Sequence, residues 1–251
     1  MPDKTITPTR PGLPLIGVTG RVNEIVKHKN VYEIPDEYFR AVYDCGGLPV
    51  QLPPFAGKEE LEAYMEILDG VLFIGGPDIH PSFYGETPVP EVTRILKPEV
   101  QESLVLAAEL ALSRPLPVFG VCLGCQLLSA VSGGKLIQDL GPLVPRHRDA
   151  EKSPYHTAEI QPGTLLAGIL GAGTVRVNSC HHQAVRPDAP GKNWRIAALD
   201  GEVVEAIEQP GEIFRLGVQW HPECSEDLPQ RRALFSAFIR AAGEKHKNAA
   251  R

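Results

Sequence analysis

The sequence predicts an α/β fold: a mostly parallel central sheet flanked by helices, with a small antiparallel extension. Two patterns carry this reading. In the first half, short apolar runs bounded by glycine and proline alternate with segments of helical spacing, as in parallel strands covered on both faces. In the second half, short strand-like runs follow one another through turns, as in antiparallel hairpins.

Pro14–Thr19 reads as a buried strand ending in a turn at Gly20. Tyr38–Cys45 has helical spacing, with Tyr38, Val42 and Cys45 on one face, and Gly46-Gly47 stops it. Leu48–Leu52 is a second strand, closed by Pro53-Pro54. Lys58–Leu68 is a helix with Leu61, Tyr64, Met65 and Leu68 on one side. Gly70–Ile74 is a third strand, ending at Gly75-Gly76. The proline-rich loop Pro77–Pro98 has the length of a lid or binding loop. Glu99–Ser113 is a helix with Leu104, Ala108, Ala111 and Leu112 inward, and Pro117–Val121 is a fourth strand followed by a helix over Gln126–Ser132. Ala158–Ile160, Thr174–Asn178, Trp194–Leu199, Val203–Glu208 and Leu216–Gln219 are strands, with residues 195–219 read as hairpins added to the main sheet. Leu234–Ala242 closes the fold as a helix, with a frayed tail from Gly243. One domain spanning 1–251 is expected, its ordered core about 14–242.

Composition excludes several classes. The 24 glycines and 24 prolines make the chain turn-rich but not low in complexity. A net charge of −6 lacks the basic footprint of a nucleic-acid or anionic-membrane binder. Pro115–Gly134 carries no formal charge, but its glycines, prolines and serines make it a strand, a turn and a helix rather than a membrane span. Met1–Gly12 is polar with no apolar run behind it, so no secretory signal is expected. Five cysteines in such a chain are expected to be reduced thiols in the cytoplasm.

One cysteine has a distinctive setting. Gly120-Val-Cys-Leu-Gly-Cys-Gln126 joins an apolar strand to a helix in the frame of a nucleophile elbow. The glycines permit a sharp turn that lifts Cys122 to the carboxyl edge of the sheet, near a helix N-terminus that favours a thiolate. The Leu123 amide points where an oxyanion would form. A buried cysteine in a glycine-rich turn fits the same pattern.

A thiol nucleophile needs a base, and His221 in Gly217-Val-Gln-Trp-His-Pro-Glu223 is the most suggestive of eight histidines. Glu223 lies two residues on, so in extended backbone it faces the same way and can orient the imidazole. Gly75-Gly76 ends a strand at the same sheet edge and can offer a second oxyanion donor, or be an ordinary turn. Asn178-Ser-Cys-His-His-Gln183 is a polar cluster after a strand; His181 and His182 are adjacent and face apart, which suits a substrate-pocket loop better than a metal. No metal is expected. Cys125 reads as packed in the helix behind the elbow, Cys45 as a small core hydrophobe, and Cys180 and Cys224 as neighbours of the pocket.

These blocks together resemble class I glutamine amidotransferase-like proteins, with a flavodoxin-like sheet, and within them the γ-glutamyl-γ-aminobutyrate hydrolase family. The resemblance runs from about Pro14 to the helix near Ala242. Ile16-Gly-Val-Thr19, Val42–Val50 with Leu52-Pro53, and Gly75-Gly-Pro-Asp-Ile-His-Pro-Ser-Phe-Tyr-Gly85 match its front half; the Cys122, Asn178–Gln183 and Gln219–Glu223 blocks follow in order. The resemblance implies that Cys122 attacks a γ-glutamyl amide, that His221 is base and acid, and that Glu223 orients it. It further implies an oxyanion hole from the amides of Gly76 and Leu123, and a glutamyl pocket lined by Gly75, Gln126, Asn178, Ser179, His181 and His182. Glutamate and a free amine would be released through a thioester, with no cofactor.

Two positions depart from the family: Leu123 replaces an arginine after the nucleophile, and Val100-Gln101 stands where an Arg-Asp pair is common. Both put leaving-group specificity in question. The expected partner is a small γ-glutamyl substrate, not nucleic acid or membrane, and a homodimer is left open. A glutaminase subunit serving a separate synthase is the alternative function, and a glutamyl-binding sensor the non-enzymatic one.

Overall fold

The computed structural model describes residues 12–26, 29–90, 94–143 and 154–249. Its first half runs β1 (Leu15–Thr19), β2 (Arg21–Val26), β3 (Lys29–Glu33), α1 (Asp36–Asp44), β4 (Leu48–Leu52), α2 (Lys58–Ile67), β5 (Gly70–Phe73), α3 (Pro98–Leu112), β6 (Val118–Val121) and α4 (Leu123–Val131). Then come β7 (Leu136–Ile137), β8 (Tyr155–Ile160), α5 (Leu165–Leu170), β9 (Gly173–Asn178), β10 (Ala184–Val185), β11 (Arg195–Asp200), β12 (Val203–Glu208), β13 (Arg215–Val218) and α6 (Leu228–Ala249).

Nine strands form one sheet in the order β4-β1-β5-β6-β13-β12-β11-β8-β9. The first five are mutually parallel, and the last four attach by antiparallel pairing. Alternate side chains on the buried strands serve opposite layers. Ile16, Val18, Leu72 and Phe119 pack with α1, α5 and α6, where Phe119 meets Phe235 edge-on at 5.4 Å. Phe73 and Val118 pack with α2, α3 and α4 on the other face. The chain leaves β1 for β4 on one side and β5 for β6 on the other, so a crevice opens at the carboxyl ends of β1 and β5.

The observed elements correct the sequence reading in four places. Leu216–Gln219, expected in a hairpin, is mostly β13, which pairs antiparallel with β12 but also runs parallel to β6 at the sheet centre. The helix expected from Gln126 begins at Leu123, directly after the elbow. The closing helix runs from Leu228 to Ala249, so Gly243 lies inside it rather than opening a frayed tail. Lys245 Nζ donates to the Leu68 carbonyl at 2.7 Å and His246 faces Asp69 at 3.2 Å, which ties this polar end down. Finally, the β2–β3 hairpin and the short helix α5 were not expected, although Thr164 caps α5 by accepting from the Ala167 amide at 3.0 Å.

Helix α4 comes very close to the sheet. A Cβ on Gly124 would lie 2.2 Å from the Phe73 carbonyl oxygen, and one on Gly120 would lie 2.7 Å from the Gly124 carbonyl carbon. Both contacts are backbone, so neither can yield by a rotamer change. Gly124→Ala is therefore expected to lower stability by about 1–3 kcal/mol in denaturant unfolding. Gly243→Ala meets open space inside a helix and is expected to raise stability by about 0.8–1 kcal/mol; no gain would mean that the helix has already ended there.

Candidate active site

Cys122 sits between β6 and α4 with φ 51° and ψ −107°. A non-glycine residue at positive φ is strained and needs its surroundings to hold it. Here the Cys122 amide donates to the Val218 carbonyl at 2.8 Å, and its carbonyl accepts from the Gln126 amide at 3.1 Å. The side chain reaches a cavity of about 410 Å³ at the carboxyl edge of the sheet.

β13 runs beside β6 with Val218 level with Val121, so the chain beyond β13 delivers His221 to the side of Cys122. His221 Nδ1 and Glu223 Oε1 are 2.6 Å apart, and Glu223 is buried. Asn178 Nδ2 donates to the His221 carbonyl at 2.8 Å and fixes that backbone. Burial disfavours a charge on His221, but Glu223 and Cys122 outweigh it and hold its pKa well above the usual imidazole value. Gly75 shows how tightly these groups meet. A Cβ there would lie 2.8 Å from His221 Cε1, 3.1 Å from the Tyr38 hydroxyl and 3.5 Å from Cys122 Cβ.

The sequence pattern places Tyr38 only on a core face, yet its hydroxyl accepts from the Gly75 amide at 3.0 Å and faces Glu223. Burial, then the Glu223 charge, push its pKa well above the ordinary phenol value, so it stays a neutral donor. The Gly75 amide is thus committed to Tyr38. Gly76 packs so that a Cβ would meet Leu123 Cδ2 at 2.9 Å, so the end of the Leu123 side chain lies against it.

The cavity wall takes Gly75, Gly76, Gln126, His181 and His182 from the expected set. Gln126 Nε2 donates to the Gln183 carbonyl and to Gln219 Oε1, both at 3.2 Å. Asn178 and Ser179 were expected on this wall and are not part of it: Asn178 supports His221 from behind, and Ser179 is fully buried. His181 Nδ1 faces the Gln183 carbonyl at 2.9 Å, while its Nε2 faces Glu205 at 3.4 Å. Glu205, fully buried on β12, also faces His156 at 3.1 Å. Burial raises the Glu205 pKa, but the two imidazoles more than offset this and hold it down at about 2. Glu205 and Asp78 lay outside the expected set, as did the β2–β3 hairpin, which brings Arg21, Val22 and Glu33 to the cavity.

The remaining thiols separate clearly. Cys125 is fully buried against β13, where a Cβ on Gly217 would meet its sulfur at 3.0 Å, and burial raises its pKa well above the usual thiol value. Cys180 and Cys224 are exposed on the cavity wall. Burial, followed by Glu223, pushes the Cys224 thiol up to about 12. Among the described residues, no group of three or more His, Cys, Asp and Glu side chains is arranged to hold a metal ion, and no helix is long and apolar enough to cross a membrane.

The chain is similar to known proteins over most of its length. The Peptidase C26 family model matches residues 14–223. Protein NtpR of Enterococcus hirae is 36% identical over 90% of this chain and 98% of its own length. The γ-glutamyl-γ-aminobutyrate hydrolase PuuD of Escherichia coli K12 is 32% identical over 91% of this chain and 93% of its own. Among solved structures, a GMP synthase component of Thermoplasma acidophilum superposes with a TM-score of 0.65, covering 95% of this chain and 98% of its own, at 15% identity; at that identity the likeness concerns the fold. The strand-to-helix cysteine, the histidine–glutamate pair after the adjacent strand, and the match over most of the chain lead to one assignment: this chain belongs to the Peptidase C26 family of class I glutamine amidotransferase-like hydrolases.

Proposed function

We propose that this protein is a cysteine hydrolase that cleaves the γ-glutamyl amide bond of a γ-glutamyl-amine. The observation that carries the reading is the meeting of the Cys122 side chain, the His221 ring and the Tyr38 hydroxyl around Gly75, with Glu223 behind the imidazole. Cys122 Sγ attacks the γ-carbonyl carbon and its proton passes to His221. The tetrahedral oxyanion accepts hydrogen bonds from the Gly76 and Leu123 amides. Collapse breaks the C–N bond, and the amine departs with the proton from His221. A water molecule, deprotonated by His221, then attacks the thioester and releases glutamate, and the sulfur recovers its proton. Glu223 keeps the ring in one orientation and stabilises its charged form. Gln126 and His181 form part of the acyl pocket.

The cytoplasmic setting expected from the free thiols suits this chemistry, because oxidation of Cys122 would abolish it.

Three outcomes check the reading. Cys122→Ala is expected to abolish glutamate release from γ-glutamyl-amines, while Cys125→Ala retains it; a dead Cys125→Ala with an active Cys122→Ala would reverse the assignment. Glutamine hydrolysis that appears only on adding a second protein would favour a glutaminase subunit instead. Glu223→Gln should lower kcat without abolishing labelling of Cys122 by a γ-glutamyl electrophile.

The pH profile follows from the same pair. Glu223 raises the His221 pKa, so the imidazolium that takes the thiol proton and must give it to the departing amine persists well above pH ~6.5, the ordinary imidazole value, and the wild type is expected to lose kcat/KM on the alkaline side only beyond that. Glu223→Gln removes that support, the pKa falls, and the alkaline limb moves to lower pH. An unmoved limb would take Glu223 out of the mechanism. Tyr38→Phe frees the Gly75 amide and is expected to reduce kcat by about 10-fold, the worth of one buried hydrogen bond.

A further inference from the structure

The layer of α1, α5 and α6 has an outer face that the chemistry at Cys122 does not use. α6 lies between α1 and α5 and touches both. Between α5 and α6 the surface sinks into a groove of about 410 Å³. Small residues line its middle, Gly168, Ala233 and Ser236, and a Cβ on Gly168 would meet nothing within 4 Å. Arg232 and Arg240 line the same groove, about 12 Å apart along α6. Both are exposed, and neither makes an ion pair among the described residues.

A protrusion of matching kind stands beside the groove. Tyr43 on α1 is 68% exposed, although its neighbours Ala41 and Val42 are buried in the core. Ser236 Oγ donates to Cys45 Sγ at 3.5 Å, so the end of α1 that bears Tyr43 abuts the helix that lines the groove. Glu37 and Asp44 share the outward side of α1 with Tyr43 and, like the two arginines, make no ion pair among the described residues. The other charges of α1, Asp36 and Arg40, pair with each other. Leu228, 53% exposed, adds apolar surface next to Pro229 of the groove.

Ring, acids, groove and arginines lie on one face of one chain, and such a face is complementary to itself. A two-fold axis sets the ring of each copy into the groove of the other and the acids of each against the arginines of the other. A large aromatic ring in a slot of small residues is the kind of anchor that dominates binding. The β4 edge of the sheet offers no equal. The Leu48 amide bonds inward to the Pro14 carbonyl, so the next position faces outward, and there Pro49 has no N–H to give. We propose that the protein forms a two-fold dimer through the α1–α6–α5 face. Tyr43 of each copy sits in the α5–α6 groove of the other, with Glu37 and Asp44 opposite Arg232 and Arg240. On its inner side α1 carries Tyr38, whose hydroxyl holds the Gly75 amide. The contact that buries Tyr43 therefore braces the helix behind the cavity.

Sedimentation velocity on the full chain over the micromolar range tests this. The wild type is expected to sediment with the mass of two chains. Tyr43→Ala, a surface change that leaves the core untouched, should weaken the dimer at least ~30-fold, the effect of losing one aromatic anchor. Arg232→Glu combined with Arg240→Glu should also give monomers. Adding Glu37→Lys and Asp44→Lys to that variant exchanges the signs across the interface and should restore the dimer, which a misfolded chain would not do. A wild type that stays monomeric throughout overturns the inference, as does a fourfold variant that stays monomeric. So does a dimer that survives both Tyr43→Ala and the double arginine change, since that places the interface on another face.

Discussion

The site depends on one backbone contact, the approach of α4 to the carbonyl of Phe73 at Gly124. This contact sets how steeply the chain turns between β6 and α4. It also puts the Leu123 side chain against Gly76, at the end of the neighbouring strand. The Cys122 backbone conformation is unfavourable in isolation. It is held by hydrogen bonds to Val218 on one side and Gln126 on the other. The strain is local, and the sheet and helix that enforce it lie at the centre of the fold.

Around this turn, charge is handled in pairs. His221 and Glu223 form one, Arg21 and Glu33 another, and His156, Glu205 and His181 share a buried carboxylate. Taking such groups out of water is costly, and partners at hydrogen-bond distance offset that cost. His181 shows how the pairs connect. Its two nitrogens link Glu205 to the Gln183 carbonyl, which also accepts from Gln126, one helical turn after Cys122. The wall of the cavity is thereby tied to the elbow helix through polar contacts.

The sequence made the parallel half legible because its inner strands are buried on both faces and read as short apolar runs bounded by glycine and proline. The elbow was legible for a related reason: Gly120 and Gly124 mark a close approach of backbones that few other patterns need. What stayed hidden is nonlocal or polar. Tyr38 sits on an apolar helix face, and only the fold reveals that its hydroxyl reaches Gly75. Asp78 lies in a proline-rich loop where nothing in the local pattern marks it against its neighbours. Arg21–Val26 and Lys29–Glu33 have no apolar face strong enough to announce a hairpin. Asn178 belonged to a polar cluster with His181 and His182, but the strand end turns it toward the His221 backbone. The helical end beyond Gly243 lacks an apolar stripe and is fixed through Lys245 and His246, whose partners Leu68 and Asp69 are far away in the chain.

The place of β13 also bears on assembly. It lies between β6 and β12, bonded in parallel to one and antiparallel to the other. During synthesis the elbow cysteine emerges long before its histidine, and the sheet must hold open, or reopen, the slot that β13 fills. Long-range insertions of this kind form late, because loop closure precedes the contacts that reward it. His221 therefore reaches Cys122 only when the central strand is in place. The meeting of Cys122 with His221 and completion of the sheet become one event, and a half-folded chain carries a cysteine without its neighbour.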